Sequence, residues 1–302
     1  MLTYFLGYYL IEKGIITEDQ FKVAAEKLEK DKVRLGTLAV QEKLLTEGQV
    51  ADIHNMQMTE NKKFGELAVQ KEGLSEDDVY SLIKKQRSLS KPITHYLVAD
   101  GVIAEGDVQK ILEDFKANYK LTEKQFDDIF SNDFDTIISL LANTHNYYTN
   151  ELYNVTLKFL IRFMESGVRI GKIEKSTSFS AERVVSQKVS CTESNFVIAF
   201  AGTRTNLHRF TSSLSSFSNI RNYDGRYANL FNFINCISCI FGRSVMRELS
   251  FNDTGMPKLF KNAHMTFKED AFLLPVAIGD TEITIIVSTG KTPDFATVLH
   301  NM

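Results

Sequence analysis

Cys236 and Cys239 stand three residues apart, the spacing of a redox or metal-holding pair. With Cys191 they are the three cysteines of the chain, and they lie in an apolar run, Phe231 to Phe241, that reads as a buried helix. No second Cys pair or His pair stands nearby, and free Cys commonly packs as a small apolar residue. Core packing is therefore preferred over redox or metal chemistry, and the odd count argues against a disulfide scaffold. The six histidines, at 54, 95, 145, 208, 264 and 300, show no paired metal-ligand spacing. Gly202-Thr203-Arg204-Thr205 lacks the Gly and Lys spacing of a phosphate loop, and the Asp run at 127, 128, 133 and 135 lacks the Gly-centred calcium-loop pattern. Neither a metal nor a cofactor is expected.

A different pattern recurs near the N-terminus. Arg34 and Gln57 are 23 residues apart, and so are Lys63 and Gln86. What positions them is a repeat. Leu6-Gly7, Leu35-Gly36 and Phe64-Gly65 follow one another at 29 residues, and one more step lands on Ile93-Thr94. Thr17, Thr46, Ser75 and Ala104 keep the same register. Thr17 to Gln20 and Thr46 to Gln49 are capping boxes, and Ser75 to Asp78 is the acidic analogue. Each unit reads as a short helix carrying the Gly, a tight turn and a capped second helix, with apolar residues such as Leu38, Leu45, Val50 and Ile53 at helical spacing. Such a hairpin cannot bury its apolar face alone, so neighbouring units must pack together. The fourth copy has lost both Gly and hydroxyl and opens on Pro92, as a terminal cap would. Residues 1–116 are thus expected to form an all-α domain of four repeats.

Residues 117–148 contain no Gly or Pro and carry a capping box, Thr122 to Gln125, ahead of an amphipathic helix broken near Ser131 to Asp133. They read as a helical linker that docks the two halves. Residues 149–302 read as an α+β domain. A helix is expected over Asn150–Met164, then strands over Val168–Ile173, Arg183–Cys191 and Phe196–Ala201. A helical stretch near Asn206–Phe217 and a long apolar helix over Arg226–Leu249 come next, and strands over Ala263–Phe267, Phe272–Ile278 and Glu282–Ser288 close the chain. Long helices against a mostly antiparallel sheet define the class.

At 302 residues, 43% hydrophobic and 24% charged, the chain has the profile of a two-domain globular protein. The net charge of −3 gives no general attraction to nucleic acid or an anionic membrane. No apolar run approaches a bilayer span, and Met1 is not followed by a basic and cleavable apolar stretch, so the cytoplasm is the expected location.

Two resemblances sharpen this. Arg34-Leu35-Gly36 to Gln57 and Lys63-Phe64-Gly65 to Gln86, with five residues between the two motifs, resemble the MshEN domain of type II secretion and pilus assembly ATPases. The resemblance implies cyclic di-GMP as ligand, held by Arg34, Leu35, Gly36, Gln57, Lys63, Phe64, Gly65 and Gln86. Arg offers a stacking plane and a donor fork, Gln a donor and an acceptor, and Gly close approach to the backbone. The sequence departs from the family at Lys43 and Glu72, where a mid-motif Gly is usual, and at Lys63, which lacks the planar fork of Arg.

The C-terminal order resembles the CheC/CheX chemotaxis phosphatases, on the strand Asn195 to Gly202, the long helix after Asp224, and the closing pair Leu273–Ile278 and Ile283–Val287. It implies a phosphorylated, CheY-like response regulator as partner and admits a homodimer through this domain. That family uses Glu-x-x-Asn on a helix: the Asn orients water beside the regulator's aspartyl phosphate and the Glu engages a regulator Lys. Asn235 matches the Asn, while Asn232 stands where the Glu belongs and cannot form the ion pair. A second such motif is Glu151 to Asn154 on the first helix of this domain. The resemblance therefore implies aspartyl-phosphate phosphatase chemistry with an altered motif; a non-catalytic adaptor is the alternative.

Overall fold

The repeat period survives as helix geometry. In the computed structural model, which describes residues 2–60, 62–130, 144, 146–164, 168–192, 194–218, 225–249, 251–290 and 294–297, eight helices follow the expected hairpins. They are α1 (Leu2–Glu12), α2 (Glu18–Lys30), α3 (Leu35–Gln41), α4 (Glu47–Gln57), α5 (Phe64–Glu72), α6 (Glu76–Leu89), α7 (Ile93–Ala99) and α8 (Val108–Asn118). First helices open at Leu35, Phe64 and Ile93 and second helices at Glu18, Glu47 and Glu76, each step being 29 residues. Thr46 and Ser75 accept from the backbone N–H of Gln49 and Asp78, closing two capping boxes. Ala104 has no side chain to do this. There the chain passes through a 3-10 turn, Glu105–Asp107, before α8 begins.

By packing, the chain divides into two units, residues 23–103 and residues 1–22 with 104–302. The unit boundaries therefore fall inside the first and fourth repeats, and the 29-residue period and the packing units are cut differently. Within residues 23–103, α3 packs with α6 and α4 with α5, so the two central copies embrace crosswise. Their shared core is Leu38, Ala39, Leu45 and Ile53 with Leu67, Ala68, Leu74 and Leu82, four positions and their equivalents 29 residues on. Each buried Leu or Ile contributes about 1.5–3 kcal/mol by leaving water, which is what joins hairpins that could not stand alone. In the same unit Tyr96 Oη donates to Asp31 Oδ2 at 2.9 Å, and Lys27 pairs with Asp100.

In the larger unit, Tyr9 of α1 meets Phe115 of α8 edge-on, with centroids 5.4 Å apart. Arg169 is nearly buried: it lies over the Phe21 ring at 5.6 Å and 3.7 Å from Glu18, while Lys22 pairs with Asp280 at 3.1 Å. Residues 1–22 are thus packed as part of the α+β unit. Within the linker, α9 (Glu123–Phe130) carries the expected Thr122/Gln125 capping pair. The expected break near Ser131 to Asp133 lies outside the described residues.

The sheet comprises β1 (Val168–Ile170), β2 (Glu174–Cys191), β3 (Asn195–Gly202), β4 (Phe251–Thr254), β5 (Lys258–Ile278), β6 (Thr281–Thr289) and β7 (Asp294–Thr297). Its order is β1-β5-β6-β3-β2-β4, with β7 on β5, and every pairing is antiparallel. Because β5 also pairs with β2, the strands β2, β3, β6 and β5 close a ring. Small residues let it close: Ala199, Ala201, Ala263 and Ala271 pack inside with Val184, Met265, Phe267 and Ile286.

The long strands differ from expectation. The chain from Glu174 to Glu182 is Ser- and charge-rich and shows no apolar alternation, yet it pairs with β5 and lengthens β2. The expected strands over 263–267 and 272–278 are one continuous β5, running through the polar stretch Lys268 to Asp270. Neither β4 nor β7 was expected; they are four-residue strands whose hydrogen bonds come from distant partners.

Three helices cover this sheet: α10 (Tyr147–Phe163), α11 (Arg204–Ser213) and α12 (Ala228–Leu249). Asn146 caps α10 and Thr203 caps α11. The helix expected near Asn206–Phe217 ends at Ser213 and continues as a 3-10 turn, Ser215–Phe217. Phe233 of α12 is the hub of an aromatic cluster, with ring centroids 5.0 Å from Phe217, 5.7 Å from Phe200, 6.1 Å from Phe210 and 6.2 Å from Phe159.

Candidate functional site

In the central repeats Arg34 and Lys63 are the N-cap residues of α3 and α5, both in extended conformation. The Arg34 side chain is 58% exposed and donates to Glu29 Oε1 at 3.4 Å. Lys63 is exposed. Gln57 Nε2 donates to the Lys62 carbonyl at 3.0 Å, and Gln86 Nε2 donates to the Val33 carbonyl at 2.7 Å. Val33 and Lys62 are equivalent positions. Each Gln therefore holds the strand entering a first helix, Gln86 beside Arg34 and Gln57 beside Lys63. The motif spacing sets Arg34 with Gln57, whereas the residue before Arg34 is held by Gln86.

Gly36 and Gly65 do a different job from the one expected. A Cβ at Gly36 would stand 2.7 Å from Val50 Cγ1, and one at Gly65 would stand 2.6 Å from Val79 Cγ1. Gly7 meets Phe21 in the same way. The partner residue is always 14 positions on, in the second helix of the same hairpin. These glycines bring two helices together, and the space a side chain would take is already filled. Leu35 and Phe64 are half-buried against the shared core, Phe64 with its ring 5.8 Å from that of His54. Nearby is an open recess of about 250 Å³ lined by Glu42, Leu44, Asp78, Ser81, Leu82 and Lys85, with Lys85 paired to Glu42. Of its residues the sequence singled out Asp78, and only as a capping residue.

In the α+β unit the amides of α12 do not face outward. Asn232 is 1% exposed and donates through Nδ2 to the Phe217 carbonyl at 2.8 Å. Asn235 is 5% exposed; its Oδ1 accepts from Gln187 Nε2 at 3.0 Å, and that same nitrogen donates to the Gly255 carbonyl at 2.7 Å. Both amides, expected to enter a partner's site, are buried in this structure. The helix that carries them is buried on nearly every side by Leu230, Phe233, Ile234, Ile237, Ile240 and Phe241. A buried amide gains by finding partners within the protein, and the Asn232 nitrogen and the Asn235 oxygen have done so. Gln187 escaped notice because, in an alternating strand, an inward Gln looks like an outward one.

Glu151 and Asn154 lie on α10, and their side chains meet: Asn154 Nδ2 is 3.5 Å from Glu151 Oε2. Glu151 is half-buried and Asn154 is 8% exposed. The opposite face of α10 is locked to the sheet, since Tyr153 Oη donates to the Phe272 carbonyl at 2.6 Å. Full burial pushes that hydroxyl well above its ordinary pKa, so it stays a donor. Of the cysteines, Cys191 and Cys236 are buried and Cys239 is half-buried; burial pushes the Cys191 thiol up, against a reactive thiolate. Among the described residues no cluster of three His, Cys, Asp or Glu could hold a metal ion. No described helix is long and apolar enough to cross a membrane.

No family model and no curated protein matches the chain. Solved structures similar to it include a chemotaxis protein CheX from Desulfovibrio desulfuricans, 11% identical over 48% of this chain and 99% of that one, with a TM-score of 0.38. A CheC-like superfamily protein from Shewanella sp. PV-4 is 10% identical over 48% of this chain and 99% of that one, with a TM-score of 0.40. A chain of the CheX–CheY–BeF3–Mg2+ complex from Borrelia burgdorferi is 14% identical over 48% of this chain and 98% of that one, with a TM-score of 0.35.

Proposed function

We propose that this is a two-part signalling protein whose CheX-like C-terminal domain binds a phosphorylated response regulator and promotes loss of its aspartyl phosphate. The residues that act are Glu151 and Asn154. One observation carries this choice: of the two candidate pairs, theirs alone includes a half-buried residue, Glu151, in contact with its amide, while Asn232 and Asn235 are both buried and bonded to other parts of the domain. In this reading Asn154 aligns a water molecule on phosphorus and Glu151 engages a Lys of the regulator. The water oxygen forms the new bond to phosphorus, the bond to the aspartyl oxygen breaks, and inorganic phosphate leaves a free carboxylate. The regulator supplies the metal and the phosphoryl group, so no nucleophile of this chain is needed. The test is phosphate release from a phosphorylated CheY-type regulator. Asn154→Ala and Glu151→Ala should each slow it by about tenfold or more, and an unchanged rate in both would reject the assignment. If the unaltered protein binds the regulator without releasing phosphate, the adaptor reading replaces the enzyme.

A second reading concerns the repeats. The crosswise embrace relates an Arg34/Gln86 side to a Lys63/Gln57 side, an arrangement suited to a ligand with two equivalent halves such as cyclic di-GMP. With Gly36 and Gly65 closed and both Gln donors engaged on carbonyls, recognition would fall to the exposed Arg34 and Lys63. Calorimetric titration with cyclic di-GMP decides it: no heat from a folded sample removes the ligand and leaves a scaffold.

A further inference from the structure

One edge of the sheet is treated differently along its length. On the side of β5 away from β6, the start of β2 pairs with Ala271–Leu273 and β1 pairs with Val276–Ile278. In β2 the residues Glu174, Lys175 and Thr177 are exposed, and a charged, hydroxyl-bearing edge resists further pairing by itself. In β1 the residues Val168, Arg169 and Ile170 are 0%, 5% and 2% exposed, main chain included. Since β1 pairs with β5 alone, its outer edge is covered from outside the sheet, and the helix packed on it is α1. A helix laid over an edge strand keeps that strand from pairing with another chain.

The cover contains a misfit. Arg169 buries a guanidinium with five N–H donors, yet it gives a hydrogen bond to the Gly279 carbonyl only at the long distance of 3.5 Å. Glu18 stands 3.7 Å away and is itself 61% exposed, and the Phe21 ring lies at 5.6 Å. Burial of a cation is costly and is repaid only by close, well-aligned partners. What closes the cover is apolar: Leu6, Tyr9 and Leu10 of α1 and Phe21 of α2 are buried. The Lys22–Asp280 pair is open to water on both sides and adds little.

We propose that residues 1–22 form a releasable strap over the β1 edge, closed by its apolar face and kept ready to open by the poorly paired cation of Arg169. Opening hydrates the guanidinium and bares the β1 backbone, while β3 and β6 in the middle of the sheet stay closed. The device is separate from the action proposed for Glu151 and Asn154 and stands without it. The competing explanation makes Glu18, Phe21 and Arg169 a clasp that holds the segment down. The two differ in sign: removing the charge tightens a strap and loosens a clasp.

Native-state hydrogen exchange on the full chain reads the opening. The amides of α1 and β1 should exchange together, about tenfold or more faster than those of β3 and β6. Arg169→Met keeps the stem, drops the charge and should slow exchange in α1 and β1 by about fivefold. Leu10→Ala should speed it, which identifies strap release as the event observed. Should Arg169→Met fold poorly, Glu18→Gln carries the test: exchange within about twofold of the unaltered chain sustains the strap, and faster exchange overturns it. Exchange of α1 and β1 in step with the rest of the sheet would overturn the proposal, as would unchanged or faster exchange in Arg169→Met.

Discussion

At the scale of single residues, the repeat is governed by what each position lets the backbone do. The turn after each first helix needs one residue in the left-handed region, and three copies place glycine there: Gly14 at φ 67°, Gly73 at φ 73° and Gly101 at φ 68°. The second copy uses Lys43 at φ 60°. A side chain there is strained by about 1–2 kcal/mol, partly offset because glycine loosens the unfolded chain. Lys43→Gly should therefore raise stability by about 0.5–1 kcal/mol, read as a higher urea midpoint with an unchanged slope. The helix-crossing glycines predict the opposite. Gly65→Ala drives a methyl against Val79 Cγ1 and should destabilise by about 1–3 kcal/mol. Val79→Ala in the same chain removes the clashing carbon, so a double-mutant cycle should show coupling above about 0.5 kcal/mol. Simple additivity would mean that the contact does not decide the glycine.

At the scale of elements, the informative ones are those whose faces are decided by their neighbours. On α12, Asn235, Gln187 and the Gly255 carbonyl form a chain that ties the helix to β2 and to the turn before β5. Asn235→Ala is therefore expected to lower stability by about 1–2 kcal/mol while leaving phosphate release per folded molecule near its original value. The opposite result, full stability with release abolished, would restore Asn235 to the site. Gln57 and Gln86 use the same device in the repeats: a buried amide at Gln57 and a half-buried one at Gln86 each complete a carbonyl just before a first helix, and the Gln86 bond, 53 residues long in sequence, ties the second copy to the third.

At the scale of the whole molecule, each unit holds a tyrosine whose ionisation is delayed. Tyr96, in residues 23–103, is pushed up to about 12 by burial and by the Asp31 carboxylate it donates to. Tyr119, in the other unit, is pushed up to about 12 by burial, with Glu12 and the neighbouring Tyr8 and Tyr9 adding to it. A raised tyrosine pKa means that the unfolded chain loses its proton first. The stabilising contribution is complete below pH 10, the ordinary value, and disappears as pH climbs toward 12. Both units should thus lose helicity across that window, seen by circular dichroism, with these tyrosines absorbing as phenolates only as the fold gives way. Phenolate absorbance that reaches the full value for all eleven tyrosines near pH 10 with helicity intact would show that neither ring is held as described.

How much was legible beforehand follows from where each interaction comes from. The repeat, its caps and its core positions could be read directly, because a helical hairpin is set by local spacing and by side chains within a turn of one another. That α3 embraces α6 and α4 embraces α5, and that Gln86 consequently serves Arg34's end of the molecule, depends on contacts 53 residues apart, such as Gln86 to Val33. The antiparallel α+β character was visible in the apolar strands. The full length of β2 and β5 was not, since polar strand residues look like loop until a partner supplies their hydrogen bonds. The candidate site divides in the same way. Two amide-bearing motifs at helical spacing were plain in the chain, but spacing says only that two side chains share a face, never which way that face points. Burial separates them only by degree: Asn232, Asn235 and Asn154 are all buried, and Glu151 alone of the four is half-buried, because α12 is enclosed by its neighbours while α10 is less completely covered at Glu151.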